Sequence, residues 1–484
     1  MKLKTKLLIA AIVLVAPALP LQKARAQACT HYASPTGTGV GTSSNSPFKI
    51  ANFWPLAKPG YTLCLLDGKY TGSTSMINPP QNLSGTASAP ITIKSLNDGK
   101  VTINGQDIRT PVRLFYNNYF VLEGFNARDS VNTVIMLARS NNNIIRRVAA
   151  WDAADGNYVI FGINSSSRNN LLEDVAGWGI ARKTFSASQG GDYTTIRRAW
   201  GRWEGSHVVG PKMTYTLAYN NYNMTCENCI GTWSGERMKQ TYTLLDYYGK
   251  PWTGKGAGTY TEYSVDQPYA IFGIDALTGT DKNARSKLLG SIAYLRGSDR
   301  FAPHKVIFTT KVDSVEVANT AVYIEPGTHT SKKRFSLNNL YSAVGLNLTA
   351  RNLTGIGGAG SYYGSDWNKS NLSEGSSLSN VANPYTSTSG ANICYRYNNR
   401  ELTNQPLWPW PMNQRIKDAM IESGRASVDV TKTIESMFGA IPSICQTSAT
   451  VAASTTTSTS STSSSASNTT LTAPSSPLNL NVRP

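Results

Sequence analysis

The chain has 484 residues, a formal net charge of +17, 24 tyrosines and only 15% charged residues. Long helical heptads are absent, and past the first residues no segment is apolar enough to span a bilayer, which sets aside coiled-coil and multi-pass membrane readings. Residues 1–28 hold five positive charges (Lys2, Lys4, Lys6, Lys23, Arg25) and no acid, so the remainder carries about +12, a balance suited to anionic partners.

In chain order, residues 1–28 read as a secretory signal. A basic start precedes the apolar stretch Leu7 to Leu21, and Ala24-Arg25-Ala26 and Ala26-Gln27-Ala28 are small-x-small cleavage patterns. The expected location is outside the cytoplasm, extracellular or periplasmic. Cleavage after Ala28 would expose Cys29 and make a lipid anchor conceivable. Ordinary cleavage is the preferred reading, because Gln27 suits a lipobox poorly. Residues 29–87 form an N-terminal cap, with an apolar strand at Cys64-Leu65-Leu66 before the turn pair Asp67-Gly68.

From 88 to 358 a short pattern returns: Asn or Asp, an alternating apolar and polar run, then a small turn. It appears as NNYFVLEGF (Asn117 to Phe125), NNNIIRRV (Asn141 to Val148), RNNLLEDV (Arg168 to Val175), GDYTTIRRA (Gly191 to Ala199) and NYNMTCENC (Asn221 to Cys229). The closing residues Phe125, Val148, Val175, Ala199 and Cys229 are 23, 27, 24 and 30 positions apart. A strand-rich repeat of irregular length predicts the coils of a parallel β-helix, with these five side chains in one inward stack. The insertion 234–269 contains GKPWTGKGAGTY, which has turn chemistry and no strand period. Strands are predicted to resume at Tyr269, Ser286, Lys305, Val315, Arg334 and Leu346.

Residues 359–446 begin rich in Gly, Ser and Asn. They then change to LTNQPLWPWPMNQRIKDAMIESG, which predicts a Pro-Trp turn running into an amphipathic helix. A second short helix is expected from Asp429 to Met437. This helical segment reads as a C-terminal cap on the solenoid. Residues 447–484 form a Ser/Thr-rich tail whose composition predicts disorder. The six cysteines suit an oxidising compartment and fall into three groups: Cys29 with Cys64, Cys226 with Cys229, and Cys394 with Cys445. Six cysteines allow 15 pairings. Cys226 and Cys229 lie at inward repeat positions, so a structural role, bridged or stacked, is expected over zinc or redox chemistry.

The phrases YASPTGTG…SPFKI…PLAKPGYTLCLLDGKY and APITIKS…GKVTINGQ resemble secreted bacterial right-handed parallel β-helix proteins, among them the chondroitinase-B-like and alginate-lyase-like polysaccharide lyases. The resemblance spans roughly residues 30–360. It implies an all-β right-handed parallel β-helix, with the helical cap and tail added. It also implies a polysaccharide lyase that acts by β-elimination on an acidic, uronate-containing polysaccharide. The polygalacturonase motifs are missing apart from Arg415-Ile416-Lys417, which stands alone in the predicted cap helix. The clustered aspartates that hold calcium in pectate lyases are not apparent. Calcium therefore stays an open cofactor, and no metal ligand is assigned.

The densest polar and aromatic stretch is Trp178 to Lys212. A lyase must neutralise the sugar carboxylate, remove the adjacent proton and assist the leaving oxygen. Lys183, Arg182 and Arg202 are candidates for neutraliser or base, and His207 for base or acid. Glu204 is placed beside them by the repeat alignment. Trp178, Trp203 and Lys212 are candidate sugar contacts. Two further readings stay open. One is a glycoside hydrolase using carboxyls among Glu173, Asp174, Asp192, Glu204, Glu227 and Glu236. The other is a non-catalytic polysaccharide- or matrix-binding surface protein. The expected partner is an acidic polysaccharide rather than nucleic acid, and the expected state is a monomer.

Overall fold

A computed structural model describes residues 28–239, 241–261, 268–275, 285–312, 314–338, 347–396 and 406–446. The signal segment up to residue 27 and the tail from 447 lie outside the described residues. The described chain is a right-handed parallel β-helix. Each complete coil contributes a strand to three faces. The first face includes Thr62–Leu65, Ile91–Ser95, Phe120–Glu123, Thr195–Arg197, Thr225–Glu227 and Ser286–Leu289, and the second includes Val101–Asn104, Asn126–Arg128, Trp200–Gly205, Ile230–Trp233 and Ile292–Leu295. Long strands such as Ile144–Trp151, Leu171–Ile180 and Ser314–Ile324 run round the corner and serve both faces. The third face runs from Val112–Phe115 through Val159–Asn164, Lys183–Ser188, Lys212–Tyr219 and Pro268–Asp275 to Tyr362–Tyr363.

The coils reach further than 88–358. They start at His31–Ala33, parallel to Thr62–Leu65, and end at Trp367–Gly375, parallel to Asn347–Ile356. Both ends are rich in Gly, Ser and Asn, and those residues hide the strand period from composition. The insertion holds an antiparallel hairpin, Thr241–Thr243 with Thr259–Thr261.

Ladder pairings align Val148 with Val175, and their neighbours place Phe125, Ala199 and Cys229 in the same row. All five are fully buried. The residue just before each of them turns the corner between the first and second faces. That residue has positive φ at every step: Gly124 (82°), Arg147 (51°), Asp174 (51°), Arg198 (48°) and Asn228 (50°), then Gly290, Asn319, Asn352 and Asn371. One left-handed residue bends the strand sharply enough to start the next face. Gly and Asn tolerate that conformation best. Where Arg198 takes it, its guanidinium is held by Glu173 and Asp174 at 3.0 and 2.7 Å.

Inside the third face, Phe161, Phe185, Tyr215 and Phe272 stack ring on ring at 4.8, 4.7 and 4.5 Å. The facing row on the second face is Gly177, Gly201 and Gly231. A Cβ at Gly231 would come within 2.8 Å of the Phe272 ring, so only glycine lets the rings approach there.

Helices α1 (Asn413–Glu422) and α2 (Val430–Phe438) form the helical cap. Asp429 caps α2 by accepting the Lys432 N–H at 3.0 Å. The surface they close is lateral. They cover the outside of the second face, where Ala149, Trp151, Ala176, Trp178, Trp200, Ile230 and Ile292 would otherwise meet water. Each large side chain so buried contributes about 1.5–3 kcal/mol. Cys29 is bridged to Cys64, Cys226 to Cys229 and Cys394 to Cys445. The first bridge ties the opening strand to its coil. The last closes a loop round both helices.

Candidate functional site

The structure divides the Trp178 to Lys212 stretch between two surfaces. Alternation on Trp200–Gly205 sends Trp203 inward and Arg202 and Glu204 outward, beneath the cap. Glu204 is fully buried and accepts from Arg202 Nε (2.9 Å) and Arg425 Nε (2.7 Å). Burial raises its carboxyl above the usual range, against the pull of the two guanidiniums.

Trp178 and Trp203 present no ring face to solvent, which corrects their reading as sugar platforms. Trp178 stacks on Trp151 at 5.0 Å, and its Nε1 donates to Ser423 of the cap at 3.3 Å. Trp203 stacks on Trp233 at 4.1 Å and donates to the Ala181 carbonyl at 2.9 Å. Both have 0% exposure. Lys212 is also fully buried, at the start of a third-face strand, so it offers no surface contact for a sugar. Two of the carboxyls open to a hydrolase, Glu173 and Asp174, are fully buried and bound to Arg198, with Arg197 also on Glu173.

Arg182, Lys183 and His207 lie elsewhere, where the second face turns into the third. Asp155 anchors this corner. Its Oδ2 meets His207 Nδ1 at 2.5 Å, and its Oδ1 accepts the His207 N–H (2.9 Å) and the Ser206 hydroxyl (3.1 Å). Burial alone would raise the Asp155 carboxyl, but the bonds from His207 and Ser206 outweigh it and hold the group below its usual range. His207 Nε2 is buried with no hydrogen-bond partner among the described residues.

The insertion hairpin builds one wall. Leu245 exchanges backbone bonds with His207 and Val209, each 2.9 Å, and the Tyr242 ring lies 4.9 Å from the imidazole. Arg182 Nη1 donates to Asn157 Oδ1 at 2.5 Å, and its guanidinium sits 5.1 Å from the centre of the Tyr247 ring. No short motif marks Asp155, Tyr242 or Tyr247. Only the fold brings them to His207 and Arg182.

Lys183 follows on the third face. It is 6% exposed, and its Nζ lies 4.6 Å from the centre of the Tyr219 ring. Burial, helped by the neighbouring Arg182 charge and opposed by Asp275, pushes the Lys183 ammonium down to about 7. Asp275, 1% exposed, is pushed up to about 6 by burial, against the pull of Lys311 and Lys183. Tyr269 Oη stands 3.5 Å from Asp275 Oδ2. A lysine and a carboxyl both titrating near neutrality mark a place where protons can be exchanged at little cost. Among the described residues no group of three or more His, Cys, Asp or Glu is arranged to hold a metal ion.

No protein-family model matches the sequence, and no curated protein matches it. Solved structures similar to the chain include a rhamnogalacturonan lyase, with a TM-score of 0.45 and 12% identity over 71% of this chain and 87% of that one. A pectate lyase gives 0.41 and 14% over 78% and 84%. An alginate lyase from Paenibacillus sp. gives 0.38 and 14% over 67% and 95%.

Proposed function

We propose that the protein is an exported lyase that cleaves an acidic polysaccharide by β-elimination at the corner formed by Arg182, Lys183, His207 and the hairpin. The observation that carries this reading is that Arg182, the Asp155–His207 pair and the nearly buried Lys183, whose ammonium burial pushes down to about 7, come together at one turn of the coil. In the proposed reaction Arg182 neutralises the uronate carboxylate, which acidifies the adjacent C5 proton. Neutral Lys183 takes that proton. The electron pair forms the C4–C5 double bond as the C4–O bond breaks, and His207 Nε2, oriented through Asp155, gives its proton to the leaving oxygen. Three disulfides suit an oxidising compartment, and no helix among the described residues is long and apolar enough to cross a membrane.

The test is the ultraviolet absorbance of an unsaturated uronate, followed across a panel of uronate polysaccharides. Activity should rise with pH through about 7, because only neutral Lys183 accepts a proton. Lys183→Ala should lose roughly 10²-fold or more, and Lys183→Arg should not restore activity. New reducing ends without absorbance would instead make the protein a hydrolase. Wild-type rates in Lys183→Ala would remove this site.

A further inference from the structure

A second concave surface lies away from this corner, where the second face emerges beside α2. It is a cleft of ≈ 430 Å³. That volume lies near the lower end of ordinary small-ligand pockets, which run from about 300 to 1,000 Å³, and it suits a single sugar ring. Its solenoid wall carries Arg202, Glu236, Tyr294, Arg296 and Asp299, with Trp200 behind them. The opposite wall belongs to the cap and carries Ser427, Asp429, Lys432, Thr433 and Ser436.

The charges on these walls are not equally committed. Arg202 is bound to Glu204 and reaches Glu236 only at 3.4 Å. Of the carboxylates, Glu236 faces Arg202, Asp299 accepts the backbone N–H of Arg296 at 2.7 Å, and Asp429 accepts from Lys417 Nζ at 3.2 Å and Asn413 Nδ2 at 3.1 Å. Arg296 and Lys432 are different: both side chains are exposed, and neither makes an ion pair among the described residues. One stands on the solenoid and the other on α2, so the cleft offers a cation on each wall. Hydroxyls of Ser298, Ser427, Thr433 and Ser436 line the space around them. A small polyhydroxylated anion matches this set better than an apolar ligand or a bare cation would. Its carboxylate would meet the two cations, and its hydroxyls would meet the serine and threonine side chains.

We propose that this cleft is a second glycan site that takes one acidic sugar unit of the uronate class, with Arg296 and Lys432 holding its carboxylate. A ligand there touches solenoid and cap together, so binding stabilises the docked cap.

The probe is D-glucuronate, which has no glycosidic bond. Its binding is therefore independent of whether the other corner is catalytic. Calorimetric titration of the full chain should show saturable binding. Arg296→Ala and Lys432→Ala should each weaken it about fivefold or more, and the double variant should not saturate. Glucose should fail to bind, and glucuronate should raise the melting temperature of the wild type but not of the double variant. Both side chains are exposed, so circular dichroism of the variants should match the wild type. An unchanged affinity in the folded double variant would overturn the proposal. So would glucose binding as well as glucuronate does. Inorganic sulfate binding as tightly as glucuronate would show a plain anion hole and overturn the sugar assignment.

Discussion

Asn352 shows what one residue can contribute to a coil. It turns the corner with φ of 52°, donates to Asn319 Oδ1 at 2.8 Å and accepts from Asn371 Nδ2 at 2.8 Å. The conformation and the ladder are separate contributions, so two substitutions separate them. Asn352→Gly keeps the turn and loses the ladder, which should cost about 1–2 kcal/mol. Asn352→Ala loses both and should cost roughly 1–2 kcal/mol more, because alanine resists positive φ. Urea unfolding of the two variants checks the order, and equal costs would mean that the ladder alone matters. The same corner explains where sequence reading stopped. Phe125, Val148, Val175, Ala199 and Cys229 were legible because an inward row repeats its apolar character. The corner residue before each was not. Arg147 and Arg198 are not turn-forming residues, and the partners that hold Arg198 there come from the preceding coil.

Helix α1 and the turn that follows it dock through buried charge as well as through apolar contact. Arg415 Nη2 reaches Asn126 Oδ1 at 2.8 Å and the Phe125 carbonyl at 3.2 Å, and its Nη1 reaches the Arg147 carbonyl at 3.1 Å. The isolated Arg415-Ile416-Lys417 phrase thus belongs to an anchor that ties two corners together. Arg425 does the same further along. It binds Asp152 at 2.8 Å and Glu204 at 2.7 Å, with 4% of its side chain exposed. Removing one member of a buried pair leaves the other charge stranded. Arg425→Ala should therefore cost about 3–5 kcal/mol and loosen the cap before the coils. Hydrogen exchange should quicken across residues 407–445 while the inward row stays protected. Uniform quickening throughout the chain would show that cap and coils open as one unit. Trp178 was misread at this scale. It lies on the outer side of its strand, but Ser423, 245 residues later, covers it there, and no local pattern announces a contact of that range.

A solenoid gains its stability between neighbouring coils, so its ends and stretches can in principle melt separately. This chain carries a brace across that grain. Contacts of the C-terminal segment run from Asp98 and Thr102 on early coils to Tyr323 on a late one. The Cys394–Cys445 bridge closes the segment into a loop of 51 residues' separation, and closure of this length is worth about 4 kcal/mol by the chain-entropy estimate. The brace also accounts for the apolar outer row of the second face, from Ala149 and Trp151 to Ile292 and Tyr294, which a bare β-helix would expose. Ending the chain after Arg396 should uncover that row. The truncated protein should bind a hydrophobic dye that the full chain ignores, and its thermal transition should broaden as coils lose their common tie. The intact protein should melt in one sharp step. A truncated form with the same melting temperature, the same sharpness and no dye binding would mean that the coils hold together without the cap, and that the outer tryptophans are protected by something other than the two helices.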